Sequence, residues 1–476
     1  MPLGEVVPPT PGRRRLALAV LCAAFFIEVL GSTSTFAALP AIGRSLDIGP
    51  TVLAAAVAVY GVVIAGLMLP FGRVADALGR RRVFLAGVIA FGVGSLACGL
   101  APSGAALIAA RGLQGLGAAA LTPAALALLL SIHPAGPERN RALGIWGGLG
   151  GIGATAGLLL GGLVTDTLGW PWIFFLNVPV CVAVLVFTRR AVPESRQARR
   201  RPFDVAGGLL LAAALMLLVV TLLAVPSAGW SLPVWIGLAG VLCVSGALTL
   251  VERRSADPVL PARLFRSRST LAGNGVVLAS GIAVDGLLTL ATLYAQRVLG
   301  LSALVFGMAL AVMTITSVAA VWLGQRWVTR RGVRPVAVTG SLLLSAACVA
   351  FAVIPGGQGT LPVLLAGLLV FGCGMGAAFV AGQIAAVMGA HPDDVGAASG
   401  LEETVFTVGG TMGVALVASI SLSFAKGGAA QAEVALAGLH AGFAALAAVT
   451  AAGAVTALLL PRPGRSDGTP SRPAEG

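Results

Sequence analysis

Long apolar runs, separated by short segments rich in Arg and Gly, follow one another along most of the chain. Each run is continuous and lacks the alternation of polar and apolar residues that is typical of a strand in a membrane barrel. About 20 apolar residues are enough for a helix to cross a bilayer. We therefore predict an all-α integral membrane protein with fourteen transmembrane helices, at 16–39, 51–71, 83–100, 105–130, 142–164, 172–187, 205–225, 233–251, 271–296, 303–325, 335–354, 361–388, 396–424 and 437–460.

The basic residues predict how these helices are oriented. All of the 31 Lys and Arg residues except Arg44, Arg111, Arg297 and Lys426 fall on the side of the spans that also carries both chain ends. Lys and Arg are enriched in cytoplasmic loops, so both termini are expected in the cytoplasm. Because the preference for Arg over Lys, with abundant Ala and Gly, indicates a GC-rich genome, we expect a multi-pass protein of a bacterial cytoplasmic (plasma) membrane.

The spacing of the spans predicts two halves. The longest connections on the inner side, 188–204 and 252–270, bracket the seventh and eighth spans. Six-span halves related by an axis along the membrane normal are a known plan of transporters, so we predict a 6+2+6 arrangement. The expected units are an N-terminal six-helix bundle (1–190), an inserted two-helix segment with its linkers (191–270), a C-terminal six-helix bundle (271–460) and a disordered cytoplasmic tail (461–476).

The composition excludes several classes of protein. Hydrophobic residues make up 57% of the chain and charged residues only 10%, whereas a soluble domain is about 25% charged. A soluble enzyme, a nucleic-acid-binding protein and a disordered scaffold are therefore excluded. The net charge of +13 belongs to the inner connections and does not indicate a nucleic-acid partner.

A glycine- and arginine-rich segment between the second and third spans contains a single acid. Residues 72–82 read GRVADALGRRR, and a degenerate repeat, GQRWVTRRGVR, occupies 324–334 with Thr329 in the place of Asp76. The Asp76 carboxylate is expected to pair with an arginine or to lie against the positive N-terminus of another helix. An ordinary loop on the cytoplasmic side is the alternative. The candidate gating residues are Gly72, Asp76, Gly79, Arg80 and Arg81.

The fourth span carries a charge. Arg111 and Gln114 belong to the sequence RGLQGLG, and a charged residue inside a span is a functional candidate by default because its burial is costly. The alternative is that Arg111 extends to the membrane surface. We predict that Arg111 and Gln114 contribute to a proton or substrate site.

The fifth span carries regularly spaced glycines. Gly153, Gly157, Gly161 and Gly162 lie in the sequence GATAGLLLGG. Small residues at such spacing let two helices approach closely in a membrane, so a packing surface is one interpretation. A functional motif is the other.

These motifs together resemble a known family. The 72–82 segment resembles the signature loop of the major facilitator superfamily, RGLQGLG is similar to its fourth-span motif, and the glycines of the fifth span resemble its antiporter motif, with Leu158 in place of a proline. The sequences WPWIFFLNVP, PARLFRSR and YAQRVLG, at 170–179, 261–268 and 294–300, are similar to those of fourteen-span drug:proton antiporters. The resemblance implies the major facilitator fold and proton-coupled export of small lipophilic compounds, neutral or cationic.

Two acids are predicted near the membrane midplane. The family usually has an Asp in the first span where this chain has Gly31, but Glu28 lies one turn earlier. Asp285 lies at a similar depth in the ninth span, the first of the second half. A carboxylate in a low-dielectric cavity can gain and lose a proton near neutral pH, so we predict that Glu28 and Asp285 face each other and exchange protons. Each acid could instead belong to a purely structural network.

Three further residues complete the candidate set. Tyr294, near the outer end of the ninth span, is a candidate for the proton or substrate site. Glu402 and Glu403 lie near the inner end of the thirteenth span, where ion pairs with Arg73 or the arginines of 80–82 would form an inner gate. Solvated acids at the membrane surface are the alternative for both glutamates.

The remaining sequence bears on the class of function. His133, His391 and His440 lack a metal-ligand spacing, and no P-loop or dinucleotide motif is present, so we expect no metal, no cofactor and no ATP-driven transport. The sequence predicts a monomeric membrane transporter, not an enzyme, whose partners are a small-molecule substrate, protons and the lipid bilayer. A dedicated exporter of one endogenous metabolite is the closest alternative. A receptor, a scaffold and a membrane-embedded enzyme are more remote.

Overall fold

The structure, a computed structural model, describes residues 11–133, 136–192, 204–255, 258–301, 303–354, 360–391, 394–425 and 431–461. All regular secondary structure within these ranges is helical. Among these described residues, fourteen helices are long and apolar enough to cross a membrane, which confirms the predicted number. The predicted tail, 461–476, falls outside the described residues except for its first position.

The sixth span consists of the short α6 followed by α7, so the fourteen spans comprise fifteen α-helices. The helices are α1 (Pro11–Leu46), α2 (Pro50–Leu78), α3 (Arg80–Gly99), α4 (Gly104–Ile132), α5 (Pro137–Thr167), α6 (Trp172–Phe175), α7 (Asn177–Ala191), α8 (Val205–Ala228), α9 (Leu232–Glu252), α10 (Arg268–Leu293), α11 (Ala303–Arg331), α12 (Val333–Ala352), α13 (Leu361–Met388), α14 (Val395–Ala425) and α15 (Gln431–Ala457).

The segment predicted as a loop after the second span is almost entirely helical. Residues 72–78 are the last turns of α2, and α3 begins at Arg80. Only Gly79 lies between the two helices, with a φ of 109°. Glycine adopts this region of φ without the steric penalty of a side chain, so a single residue is enough to reverse the chain direction.

Helices α1–α7, called the first half below, pack mainly on one another, and helices α10–α15 form a second half in the same way. The two halves meet along two helix pairs, α2 with α14 and α5 with α11. We call the end of the molecule that contains Gly79 and Asp394 the inner end.

The inserted helices α8 and α9 pack against each other, and α8 lies in the groove between α2 and α14. Val219 of α8 packs with Ala65 of α2 and Val408 of α14 in one buried apolar cluster. Met216 of α8 packs so closely on Gly66 that a Cβ at residue 66 would lie 3.0 Å from its Cε. The inserted pair therefore contacts both halves.

The glycines of α5 form the packing surface for α1. A Cβ built at Gly157 would lie 2.6 Å from the carbonyl oxygen of Leu30, and one at Gly161 would lie 2.8 Å from Ser34 Cα. Gly153 lies against Phe26 in the same interface. A Cβ at Gly162, in contrast, would meet nothing within 4 Å, so this glycine is not part of the contact.

We expect Gly157→Ala to lower the apparent melting temperature of the purified protein in detergent. Overpacking a close contact of this kind costs about 1–3 kcal/mol, because the added methyl group would have to push α1 away from α5. The matched control is Gly162→Ala, which should be neutral or slightly stabilising because alanine has the higher helix propensity. Equal melting temperatures for the two variants would contradict the assigned packing surface.

Candidate functional site

A buried polar network lies within the first half. The Tyr60 hydroxyl group on α2 donates a hydrogen bond of 2.8 Å to Glu28 Oε1 on α1. The guanidinium carbon of Arg111 lies 4.0 Å from the centre of the Tyr60 ring. Such a contact between a cation and an aromatic face is favourable, and more so when it is shielded from water. All three residues are buried. Through these two contacts, Tyr60 connects the acidic side chain of Glu28 with the basic side chain of Arg111.

The Arg111 side chain is held inside the bundle. Its Nη1 donates a hydrogen bond of 2.6 Å to Gln114 Oε1, and its Nε donates to the carbonyl oxygen of Ala56 at 3.3 Å. Gln114 Nε2 in turn donates to Ser95 Oγ at 2.8 Å. With 1% of its surface exposed, Arg111 does not extend to the membrane surface. The structure thus joins Arg111 and Gln114 in one buried hydrogen-bond network, and their part in a proton or substrate site stays a prediction.

Glu403 on α14 brings an acid from the second half into electrostatic range of Glu28. The indole of Trp146 on α5 is its neighbour in the first half. Glu403 Oε1 and Trp146 Nε1 are both buried without a hydrogen-bond partner among the described residues. The interface between the halves therefore encloses two carboxylates, one from each half.

The structure corrects the predicted pairing of Glu402 and Glu403 with arginines. Gln383 Nε2 on α13 lies 3.5 and 3.4 Å from the two carboxylate oxygens of Glu402, and Glu403 has Trp146 and Glu28 as its electrostatic neighbours. Both glutamates are buried, so they are not solvated acids either. The acid that pairs with Arg73 is Asp394, at 3.4 Å. Sequence spacing placed the glutamates on the correct helix but could not give the direction of their side chains.

The described contacts of the Asp285 side chain are with α14, and none of them involves Glu28. Its carboxylate group lies against Gly410 on α14, where the absence of a side chain leaves room for it. The residue is partly exposed, and no ion pair of Asp285 occurs among the described residues. Its helix α10 packs mainly on α13, α14 and α15. Asp285 thus packs within the second half, and its opposition to Glu28 across the interface stays a prediction.

Tyr294 is also outside this cluster. It begins a short π-helical turn, 294–298, at the end of α10. Its hydroxyl group donates a hydrogen bond of 2.9 Å to Thr360 Oγ1. The contact ties the outer end of α10 to the start of α13, and a part of Tyr294 in a proton or substrate site stays a prediction.

Glu28 and Gly31 point to different surroundings. A Cβ at Gly31 would lie 3.1 Å from Asn177 Nδ2 and 3.6 Å from the Phe91 ring, between α1, α7 and α3. Glu28 instead contacts Tyr60 on α2. An acid at residue 31 would therefore lie inside the first half, and Glu28 occupies a different site from the aspartate that the family usually has there.

Two aromatic pairs lie on the helices that carry the acids and on the helices facing them. Phe25 on α1 stacks on Trp146 with ring centres 4.0 Å apart, and Phe379 on α13 meets Phe406 on α14 edge to face at 5.1 Å. A Cβ at Gly147 would lie 3.4 Å from the Phe379 ring, so the two aromatic pairs belong to facing helices. This combination of apolar rings and a few buried polar groups is typical of a small-molecule site.

Sequence reasoning missed Tyr60 and Trp146. The chain contains only two tyrosines, and a buried Tyr hydroxyl group usually finds a hydrogen-bond partner. A tyrosine in the middle of an apolar run was therefore a usable signal for Tyr60. Trp146 gave no such signal, because tryptophan also serves as a membrane-interface anchor.

At the inner end, Asp76 connects the two halves. Its two carboxylate oxygens accept hydrogen bonds of 3.2 Å from the backbone N–H groups of Gly396 and Ala397, in the first turn of α14. Arg80 donates to the same carboxylate group through Nε at 3.0 Å and Nη2 at 2.9 Å. An acid is stabilised at a helix N-terminus by the helix dipole. Both predicted contacts of Asp76, with an arginine and with a helix terminus, are thus present.

Other candidate gating residues support the same junction. Gly72 lies in backbone contact with Gly396, and a Cβ at Gly400 would lie 3.0 Å from Leu69 Cα. Arg81 donates a hydrogen bond of 3.1 Å to the carbonyl oxygen of Val192 beyond α7. The inner ends of α2 and α14 are therefore in direct contact, and the structure is closed there.

The repeat of the signature segment also lies between the halves. Asn140 Nδ2 on α5 donates a hydrogen bond of 3.1 Å to Thr329 Oγ1 on α11. Further along the same helices, Thr155 and Thr314 are in contact. The contacts described here between α5 and α11 are therefore hydrogen bonds between neutral side chains, with Thr329 in the place that Asp76 has in the α2–α14 pair.

Comparison with known proteins agrees with this architecture. The Major Facilitator Superfamily model matches residues 21–414 and 273–475. The puromycin resistance protein pur8 of Streptomyces alboniger is 35% identical over 421 residues, which cover 87% of this chain and 82% of the relative. The multidrug resistance protein Stp of Mycobacterium tuberculosis is 35% identical over 398 residues, which cover 83% and 73%.

A solved structure shares the fold. The crystal structure of the human organic anion transporter MFSD10 superimposes with a TM-score of 0.68 at 18% identity, covering 94% of this chain and all of that one. From the family match, the fourteen spans and the two halves around a buried site, we conclude that the chain belongs to the major facilitator superfamily and is a membrane transporter rather than an enzyme.

Proposed function

We propose that this transporter exports small lipophilic compounds, antibiotics and other drugs among them, in exchange for protons. The single observation that carries the proposal is the pair of buried acids, Glu28 and Glu403, at the interface between the halves. The names of the two curated relatives, a puromycin resistance protein and a multidrug resistance protein, support export of drugs. An exporter of a single endogenous metabolite is the alternative.

The acid pair supports proton coupling through the cost of burying charge. An ionised carboxylate that leaves water without a compensating partner is strongly destabilised. Glu28 has Tyr60 and Arg111 beside it, whereas Glu403 has Glu402 and Glu28 as its charged neighbours. Two ionised acids in this interface would also repel each other. Closing the halves around this pair therefore favours uptake of a proton, and opening to water favours its release.

The surroundings of the acids suit a lipophilic substrate. The rings of Phe25, Trp146, Phe379 and Phe406 offer apolar surface, and an aromatic face also attracts a cation. A substrate that binds beside Glu403 takes over the stabilisation of this carboxylate that a bound proton otherwise provides. Proton and substrate then compete for the interface, which is the requirement for antiport.

Alternating access needs the inner end to open. In this structure Asp76 and the first turn of α14 hold that end closed. We propose that transport includes separation of α2 from α14 at this contact, with the buried acids reached from the cytoplasm once it has broken. The direction of transport is then set by the proton gradient across the membrane.

Reconstituted inside-out vesicles with an acidic lumen test the energy source. We expect accumulation of puromycin and of the lipophilic cation ethidium in the lumen, without ATP, and collapse of both gradients on addition of a protonophore. Accumulation that survives the protonophore would contradict proton coupling. If the vesicles take up neither puromycin nor ethidium but do take up a single metabolite, the dedicated exporter is favoured.

The same vesicles test the acid pair. We expect Glu28→Gln and Glu403→Gln each to reduce proton-driven accumulation to simple equilibration, because an amide cannot carry the proton. Glu138→Gln, at an exposed ion pair with Arg14, is the matched control and should transport normally. Asp285→Asn should weaken ethidium transport more than transport of a neutral compound, because a carboxylate attracts a cation and interacts much less with a neutral substrate. Normal proton-driven accumulation by Glu403→Gln would exclude it from coupling.

The inner contact gives a kinetic prediction. Asp76→Asn removes the charge from the N-terminus of α14 and from Arg80, interactions together worth about 1–2 kcal/mol. We expect turnover to fall by about fivefold or more, with a smaller change in KM, because the inner-closed state forms less readily. Steady-state transport kinetics at matched expression measure both. Unchanged turnover would show that the contact does not limit the cycle.

A further inference from the structure

The connection between the inserted helices and the second half contains a segment, residues 258–266, that is folded into the inner end. Val259 is 1% exposed and packs among Leu69 of α2, Leu211 of α8 and Leu248 of α9. Leu401 of α14 and Leu260 of the segment border the same cluster. Burying a valine side chain contributes roughly 1.5–3 kcal/mol, so the segment is anchored and does not merely span a gap.

Hydrogen bonds fix the backbone of this segment from two sides. Glu252, at the end of α9, accepts a hydrogen bond of 2.9 Å from the backbone N–H group of Leu260. Arg73, near the inner end of α2, donates through Nη2 to the carbonyl oxygen of Pro258 at 3.0 Å. The segment is thereby tied to the inserted pair and to the first half.

An ion cluster ties the segment to the second half. Asp394, the residue before α14, is fully buried and pairs with Arg73 of α2 at 3.4 Å and with Arg263 of the segment. One carboxylate group therefore joins the first half, the segment and the second half. It lies two residues from Gly396, whose backbone N–H group binds Asp76.

The position of these contacts means that opening of the inner end would disturb the segment. The contacts attach the segment to α2 and α14, beside the place where these two helices must separate if the inner end is to open. Separation of the two helices would expose Val259 to water and break at least one of the ion pairs of Asp394. All the contacts of the segment described above are present while α2 and α14 touch at the inner end. If these two helices separate, the contacts to α2 and the contacts to α14 cannot all be kept.

We infer that residues 258–266 form a latch that stabilises the inner-closed state, with Arg263 and Val259 as its positioning residues. The inference rests on the alternating access of the proposed function, but not on protons or drugs as its ligands. It assigns the inserted pair a role: the pair delivers the latch to the α2–α14 junction. A contact that exists in only one of two states shifts the equilibrium towards that state.

Spin labels at Leu78→Cys and Met388→Cys report directly on the inner end. Both positions are exposed, at the inner ends of α2 and α13, and the accessible Cys243 and Cys373 are replaced in this background while the buried cysteines stay. Pulsed electron paramagnetic resonance in lipid nanodiscs measures the distance distribution between the labels. Neither a substrate nor a proton gradient is needed.

Arg263→Gln should raise the ratio of inner-open to inner-closed molecules by about three- to fivefold, the equivalent of losing a partly exposed ion pair. Arg266→Gln is the matched control, since Arg266 is an exposed arginine of the same short turn, and should match the unmodified chain. Arg263→Lys, which keeps the charge, should restore most of the closed population. Val259→Ala, which shortens the buried side chain, should shift the ratio in the same direction as Arg263→Gln.

The transport readout has a sign that a general loss of stability would not produce. When the inner-open state is more populated, the apparent KM for substrate offered at the inner side falls, because apparent affinity scales with the competent fraction. A damaged protein would lose turnover without a lower KM. Unchanged distances in both Arg263→Gln and Val259→Ala, or an equal shift in Arg266→Gln, would overturn the latch. If instead the distances shift as expected and proton-driven export is absent, the latch stands and the proposed function fails.

Discussion

The arrangement of this transporter depends on the cost of placing charge inside a bilayer. Each buried acid or base must find a partner within the protein, because lipid offers none. Arg111 meets this requirement within the first half, through Tyr60 and Gln114. Glu403 does not, since its charged neighbours are acids. Glu403 lies where the two halves meet, so relative movement of the halves would expose this carboxylate to water.

Close helix packing makes that placement possible. Glycines at 157 and 161 bring α1 against α5, which sets Phe25 on Trp146 and directs Glu28 towards α2. At the inner end Gly72 and Gly396 bring α2 and α14 into backbone contact, and only then can the short Asp76 side chain reach the first turn of α14. The buried polar contacts thus depend on the close approach of the helix backbones.

The sequence predicted the fold far better than the site. Hydropathy and run length identified all fourteen spans, because crossing a bilayer imposes a length and a composition on every helix. Counting along the first span also predicted a depth near the midplane for Glu28, and the structure shows that this residue is buried within the protein. The rotation of a helix about its axis could not be read in the same way. The sequence therefore paired Glu403 with the arginines, whereas the structure gives Glu403 the neighbours Glu28 and Trp146 and pairs Arg73 with Asp394, just before α14.

The position of α8 has a consequence for the surrounding lipid. Two crevices run between the halves, one along α2 and α14 and the other along α5 and α11, and internal symmetry would make them equivalent. Because α8 fills the first with Met216 and Val219, acyl chains are excluded from it, whereas no inserted helix covers the second among the described residues. The surface that faces the lipid is thus asymmetric. Among the described residues, a compound dissolved in the membrane can approach the α5–α11 crevice without an inserted helix in the way, but not the α2–α14 crevice.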